Sequence, residues 1–147
     1  MQKTRGGSLI FVAGILYIIF GAITLIVLAL GITAISLMDW GEVTAPTIIS
    51  LIFPTLVVIF EFGAGIYAVR HAHNLSKAGK LLENAIALLV ITIISLISDA
   101  TLGSLTALSF INLILPLLML AGANINKKAA QEAGIRLEKF GKKDSIN

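Results

Sequence analysis

The chain has 147 residues, a net charge of +3 and no cysteine. Hydrophobic residues make up 57% and charged residues only 13%, about half the charged share of a soluble domain, and the mean hydropathy is +0.98. So much apolar surface excludes a soluble domain of this size, and the missing cysteines exclude a disulfide scaffold, thiolate catalysis and sulfur-ligated metals.

The N-terminal stretch MQKTRGG is basic and leads into an uninterrupted apolar run from Ser8 to Met38. That run far exceeds the apolar region of a signal peptide, about 7 to 15 residues, so a retained membrane span over about 8–34 is expected. It is long for an untilted crossing, which needs about 20 helical residues. Gly14, Gly21 and Ala29 recur along it and predict a packing face. MDWGEVTAP forms the first loop, with Trp40 suited to the membrane interface and Pro46 to a first helical turn.

The second span is expected at 47–70. It carries Glu61 within LVVIFEFGAG, about 13 Å from Arg70 at 1.5 Å per helical residue. A charged, unpaired carboxyl near mid-bilayer is costly, so Glu61 is expected to be neutral or to face protein or water. Helical spacing puts Pro54, Val58, Glu61, Gly65 and Ala68 on one side of this helix. Gly65 and Ala68 there permit close backbone approach.

After the basic loop RHAHNLSKAGK, the third span is expected at 81–98 and the fourth at 104–123, joined by the tight turn SDATLGS as an antiparallel hairpin. Asp99 reads as a turn residue and cap for the fourth helix. His71 and His73 lack a third ligand nearby, so no metal site is expected. By depth, Tyr17 stands level with Glu61, Thr92 slightly further out and Asn112 further still. Together they form a candidate proton or ion site, in which the other three supply hydrogen-bond donors and no counter-charge. Pro54 and Pro116 each free the carbonyl four residues earlier and predict helix kinks. ITAISLMD and ITIISLISD resemble each other, but the prolines do not keep the same spacing, so no internal repeat is assigned.

All eleven Lys and Arg residues lie before the first span, at the second loop or after the fourth span. The first and third loops carry Asp39, Glu42 and Asp99 instead. The positive-inside rule then predicts an all-α, four-helix transmembrane bundle in the cell membrane, N-in/C-in, over residues 1–125. Residues 126–147 follow as a basic cytoplasmic tail, in which Ile135, Leu137 and Phe140 can touch the membrane while lysines meet anionic lipid headgroups. The lipid bilayer is the expected partner and nucleic acid is not, because the tail lacks interleaved aromatics.

The MQKTRGG start, the RHAHNLSKAGK loop and the AGANINKKA exit from the fourth helix resemble small bacterial four-span membrane proteins of uncharacterised function. That resemblance implies no activity. Small multidrug resistance transporters also have four spans and a membrane carboxylate. Their glutamate is in the first helix, where this chain has no acid, so their substrate residues do not transfer. No nucleophile triad or phosphate loop can be assembled, so neither an enzyme nor a cofactor is expected. Two readings follow. One is a non-catalytic membrane protein acting through helix packing, as a homo-oligomer or an accessory subunit. The other is a proton- or cation-coupled small carrier or channel using Glu61, assisted by Tyr17, Thr92 and Asn112.

Overall fold

The computed structural model describes residues 4, 6–37, 45–101, 103 and 106–138, without the side chains at 45–51, 107 and 108. Lys3, Arg5, Trp40 and the rest of the first loop up to residue 44, and the tail from 139 onward with Phe140, lie outside the described residues.

Among the described residues there are four α-helices, α1 (Gly7–Ser36), α2 (Ala45–His71), α3 (Ala78–Thr101) and α4 (Ala107–Glu132), with a 3-10 turn, Leu75–Lys77, ahead of α3. Each of the four contains a stretch long and apolar enough to cross a membrane. The sequence explains why. α1 has no charged residue from Gly7 to Ser36, and a helix satisfies all its internal backbone groups where no water can.

The boundaries differ from expectation where side chains extend a helix. Asn74 caps the 3-10 turn, its Oδ1 accepting from the Ser76 amide at 3.1 Å. The turn leads directly into α3, which therefore begins at Ala78. At its far end α3 includes Asp99, so Asp99 is not the cap of α4. Gly103, at φ 66°, reverses the chain, and the cap falls to Thr106, which forms a capping box with Ser109. The fourth helix starts at Ala107 and runs nine residues past its expected end, because ANINKKAAQE is rich in helix formers. Asn126 and Ala130, expected in the tail, are fully buried in the bundle. Gly134, at φ 67°, ends that run, with the Ile135 amide bonded back to the Ala130 carbonyl at 2.8 Å.

Neighbouring helices run antiparallel. α1 packs on α2 and on α4, α4 packs on α3, and α2 meets α3 only lightly. Small residues make the α1–α2 approach. A Cβ on Gly14 would sit 3.0 Å from the Gly65 carbonyl oxygen and 3.0 Å from the Ala68 Cβ, and one on Gly21 would sit 3.2 Å from Phe62. At the α1–α4 seam a Cβ on Gly6 would overlap the Gly122 carbonyl. Ile10, Leu81, Leu88 and Met119 are fully buried between the helices.

The bundle is thus packed at the end that carries the basic residues and open at the end that carries Asp99. The last buried residue of α1 is Gly21. Ile26 and Leu30 beyond it are 62% and 66% exposed. Ala29, expected on the packing face, is exposed, because no neighbouring helix among the described residues covers that part of α1.

Candidate functional site

One cavity of about 170 Å³ lies in the open half of the bundle, and all four helices line it. α2 contributes Val57, Val58 and Glu61, and α1 contributes Thr24. Along α3, Thr92, Ser95 and Asp99 follow one another at i, i+3 and i+7, which puts three polar groups on one face of an apolar helix. Ser109 and Asn112, three apart, do the same on α4. Glu61 lies well inside α2, whereas Asp99 is near the end of α3 and Ser109 near the start of α4, where the chain turns between them.

Three of the four expected site residues therefore converge: Glu61, Thr92 and Asn112. Tyr17 is not in the lining. It is packed one layer in, 4% exposed, with its Cβ against Gly65. Its buried hydroxyl has no hydrogen-bond partner among the described residues. Glu61 is within electrostatic reach of it.

Three of the hydroxyl protons around the cavity are committed. Thr92 donates to the Leu88 carbonyl at 2.8 Å and Thr24 to the Phe20 carbonyl at 2.9 Å. Ser109 donates to Asp99 Oδ2 at 2.9 Å. Thr92 was expected to donate to Glu61; its proton goes to its own helix instead, as threonine in an apolar helix commonly arranges. The Thr92 and Thr24 oxygens keep lone pairs and can accept, whereas Ser109 Oγ already receives the Thr106 amide at 3.4 Å. Pro116, fully buried in α4, adds another acceptor by leaving the Asn112 carbonyl without its helical partner. Pro54 frees the Ser50 carbonyl in the same way, but neither residue lines the cavity, and the Ser50 side chain is outside the described residues.

The electrostatic balance is one-sided. The lining has two carboxyl groups, Glu61 and Asp99, and no Lys, Arg or His. The whole chain has no Lys, Arg or His from Gly6 to Val69 or from Leu81 to Asn126. A polar cavity with two acids and no fixed cation favours a proton or a positively charged guest.

Below the cavity the bundle closes on Asn126. This fully buried side chain accepts from the Gly6 amide at 2.9 Å and donates to the Ala72 carbonyl at 2.9 Å. It thereby ties α1, α2 and α4 together at the basic end. Sequence reasoning passed over it, because an asparagine just after an apolar run looks like a solvated helix exit. Thr24, Ser95 and Ser109 were missed as well; the i, i+3, i+7 polar spacing on α3 was the signal available.

The histidines take structural contacts. His71 packs on Tyr67 with ring centroids 4.5 Å apart, and His73 Nδ1 shares a hydrogen bond with the Thr4 hydroxyl at 2.7 Å. Among the described residues no group of three His, Cys, Asp or Glu could hold a metal ion.

Compared with known protein families, with characterised proteins and with solved structures, the chain matches none.

Proposed function

We propose that the protein is a small multi-pass carrier or channel of the cell membrane that moves protons or small cations, with Glu61 as the binding carboxyl. The observation that carries this reading is the convergence of Glu61, Thr92 and Asn112, from three helices, in one polar cavity whose lining has no fixed cation. Packing alone gains little from a glutamate there: a hydrogen bond between membrane helices measures only about 0.6 kcal/mol on average. A carboxyl that exchanges its proton or cation gives the residue a role. By the positive-inside rule the basic end and both termini belong in the cytoplasm. The cavity then opens outward, and Asn126 closes the inward path.

In this mechanism a cation or proton enters past Asp99, whose charge raises its local concentration, and reaches Glu61. Tyr17 then becomes a partner for the Glu61 carboxyl on the inner side, since its hydroxyl has no other bond to lose. Passage inward needs the helices to part at the Gly6–Gly122 and Asn126 contacts.

The test is pH-dependent uptake into proteoliposomes. Glu61→Gln keeps hydrogen bonding but holds no exchangeable carboxyl proton, so it should abolish the pH dependence while the variant stays folded. Equal behaviour of wild type and variant would end the carrier reading.

A second reading, assembly through helix packing, is favoured by the uncovered outer half of α1. It predicts that Glu61→Leu lowers thermal stability or oligomer yield in detergent while uptake is absent from the wild type itself.

A further inference from the structure

The short connection between α2 and α3 folds into a cradle for a negative group. Asn74 Oδ1 accepts from the Ser76 amide at 3.1 Å and from the Ser76 hydroxyl at 2.9 Å, and so sets the 3-10 turn. Because the turn leads directly into α3, Lys77 stands just before that helix and Lys80 in its first turn. The two ammonium groups converge on a single atom, Glu138 Oε2, which pairs with Lys77 and, at 3.2 Å, with Lys80.

Glu138 comes from a strap that returns to this turn after α4 has ended. Its amide donates to the Ser76 carbonyl at 2.9 Å. Gly79 lets the strap lie close, since a Cβ there would sit 2.5 Å from the Glu138 carbonyl oxygen. The side chains of Lys77 and Lys80 remain 25% and 24% exposed, so an outside group can approach both. Hydrogen bonds from Lys77 first, then Lys80, hold the Glu138 carboxyl below its usual range.

Two ammonium groups at a helix N-terminus, which itself favours an anion, face one carboxylate. A phosphate diester carries the same single charge on two free oxygens, and lysine binds phosphate as a point charge. We infer that the Lys77–Lys80 cradle is a binding site for the phosphate of an anionic lipid headgroup, and that Glu138 of the strap occupies it in the lipid's absence. The lipid source is favoured over free phosphate by position. The turn joins two helices each able to cross a membrane, and its basic character puts it at the anionic cytoplasmic surface under the proposed orientation. The inference rests on that membrane placement and is independent of the role of Glu61.

The experiment is native mass spectrometry of the full chain taken from mixed phosphatidylcholine and phosphatidylglycerol vesicles, with a detergent melt to establish that each variant is folded. Glu138→Gln removes the competing charge and should raise phosphatidylglycerol retention, on the order of fivefold. In that background Lys77→Gln and Lys80→Gln should each lower it again by about fivefold, the effect of one cation at a membrane surface. Phosphatidylcholine retention should not change. If Glu138→Gln leaves phosphatidylglycerol retention at the wild-type level, or the lysine variants keep the gain, the inference is overturned. A thermal-shift titration with inorganic phosphate separates the sources: stabilisation of Glu138→Gln by phosphate, without selective phosphatidylglycerol retention, would overturn the lipid assignment.

Discussion

Asn126 Nδ2 donates to the Ala72 carbonyl at 2.9 Å, across 54 residues of sequence, while Oδ1 of the same side chain accepts from the Gly6 amide. One fully buried amide therefore joins three helices. Asn126→Leu removes both bonds and leaves the Gly6 amide and the Ala72 carbonyl buried without partners. Each orphaned group costs about 1–3 kcal/mol, so a loss of about 2–6 kcal/mol is expected, read as a lower melting temperature in detergent. An unchanged melt would mean that Asn126 does not close the bundle.

The glycines separate into two classes with opposite predictions. A Cβ on Gly6 would fall 2.1 Å from the Gly122 carbonyl oxygen, which is backbone and cannot swing away. Gly6→Ala should force α1 and α4 apart and destabilise the bundle. Gly31 and Gly63 have nothing within 4 Å of an added Cβ. Gly31→Ala and Gly63→Ala should be neutral or stabilising, by up to about 1 kcal/mol from helix propensity. Equal melting shifts at Gly6 and Gly63 would contradict the packing described.

Tyr17 sets stability against function. Its hydroxyl is buried and has no partner among the described residues, and a buried polar group without a bond is unfavourable. Tyr17→Phe should therefore raise thermal stability, by about 1 kcal/mol. Under the carrier reading the same change slows pH-dependent uptake, since the inner partner of Glu61 is gone. A variant that is less stable than wild type would show that the hydroxyl has a partner, such as a bound water.

Asp99 and Ser109 join the rim of the cavity at 2.9 Å. Asp99→Asn keeps an acceptor for Ser109 but removes the charge. Thermal stability should change by less than about 1 kcal/mol. Apparent cation affinity in uptake should fall several-fold, most at low salt, where the field reaches furthest. Affinity that is unchanged at low salt would remove Asp99 from the entry path.

The strap has a pH dependence of defined sign. Glu138 is held below its usual range by Lys77 and Lys80. Its contribution is thus fully present above the ordinary glutamate value of about 4.3 and is lost as pH falls through the lowered value. The strap should stay docked at neutral pH and detach only in that acidic window. The Glu138 amide resonance in detergent micelles reports this directly. Glu138→Gln should abolish the step; a step near neutral pH in the wild type would point to another group.

The four helices were legible because long apolar runs are a local property of the chain, and a helix is the only open-chain way to satisfy backbone groups there. Glu61 was legible for the same reason, as an acid near the middle of an apolar run. Small residues at helical spacing also located Gly14, Gly21, Gly65 and Ala68 on the α1–α2 approach. Ala29 shows the limit of that reasoning: its spacing fits the pattern, but no helix reaches it. Asp99 shows another. Its side chain does reach α4, yet from inside α3, because the turn at Gly103 comes later than the polar residues suggest.

Composition and charge order alone decide that this chain has four long apolar runs, basic and acidic segments between them, and a carboxyl inside one of them, since each is a property of single segments. Only the tertiary structure decides what surrounds that carboxyl. Helices that are apolar on nearly every side carry little record of how they are rotated against one another. The meeting of Glu61 with Thr92 and Asn112, the exclusion of Tyr17 from the lining, the Asn126 closure and the return of Glu138 to Lys77 and Lys80 all depend on that rotation. It is set by where backbones can touch, at Gly6 on Gly122 and Gly14 on Gly65.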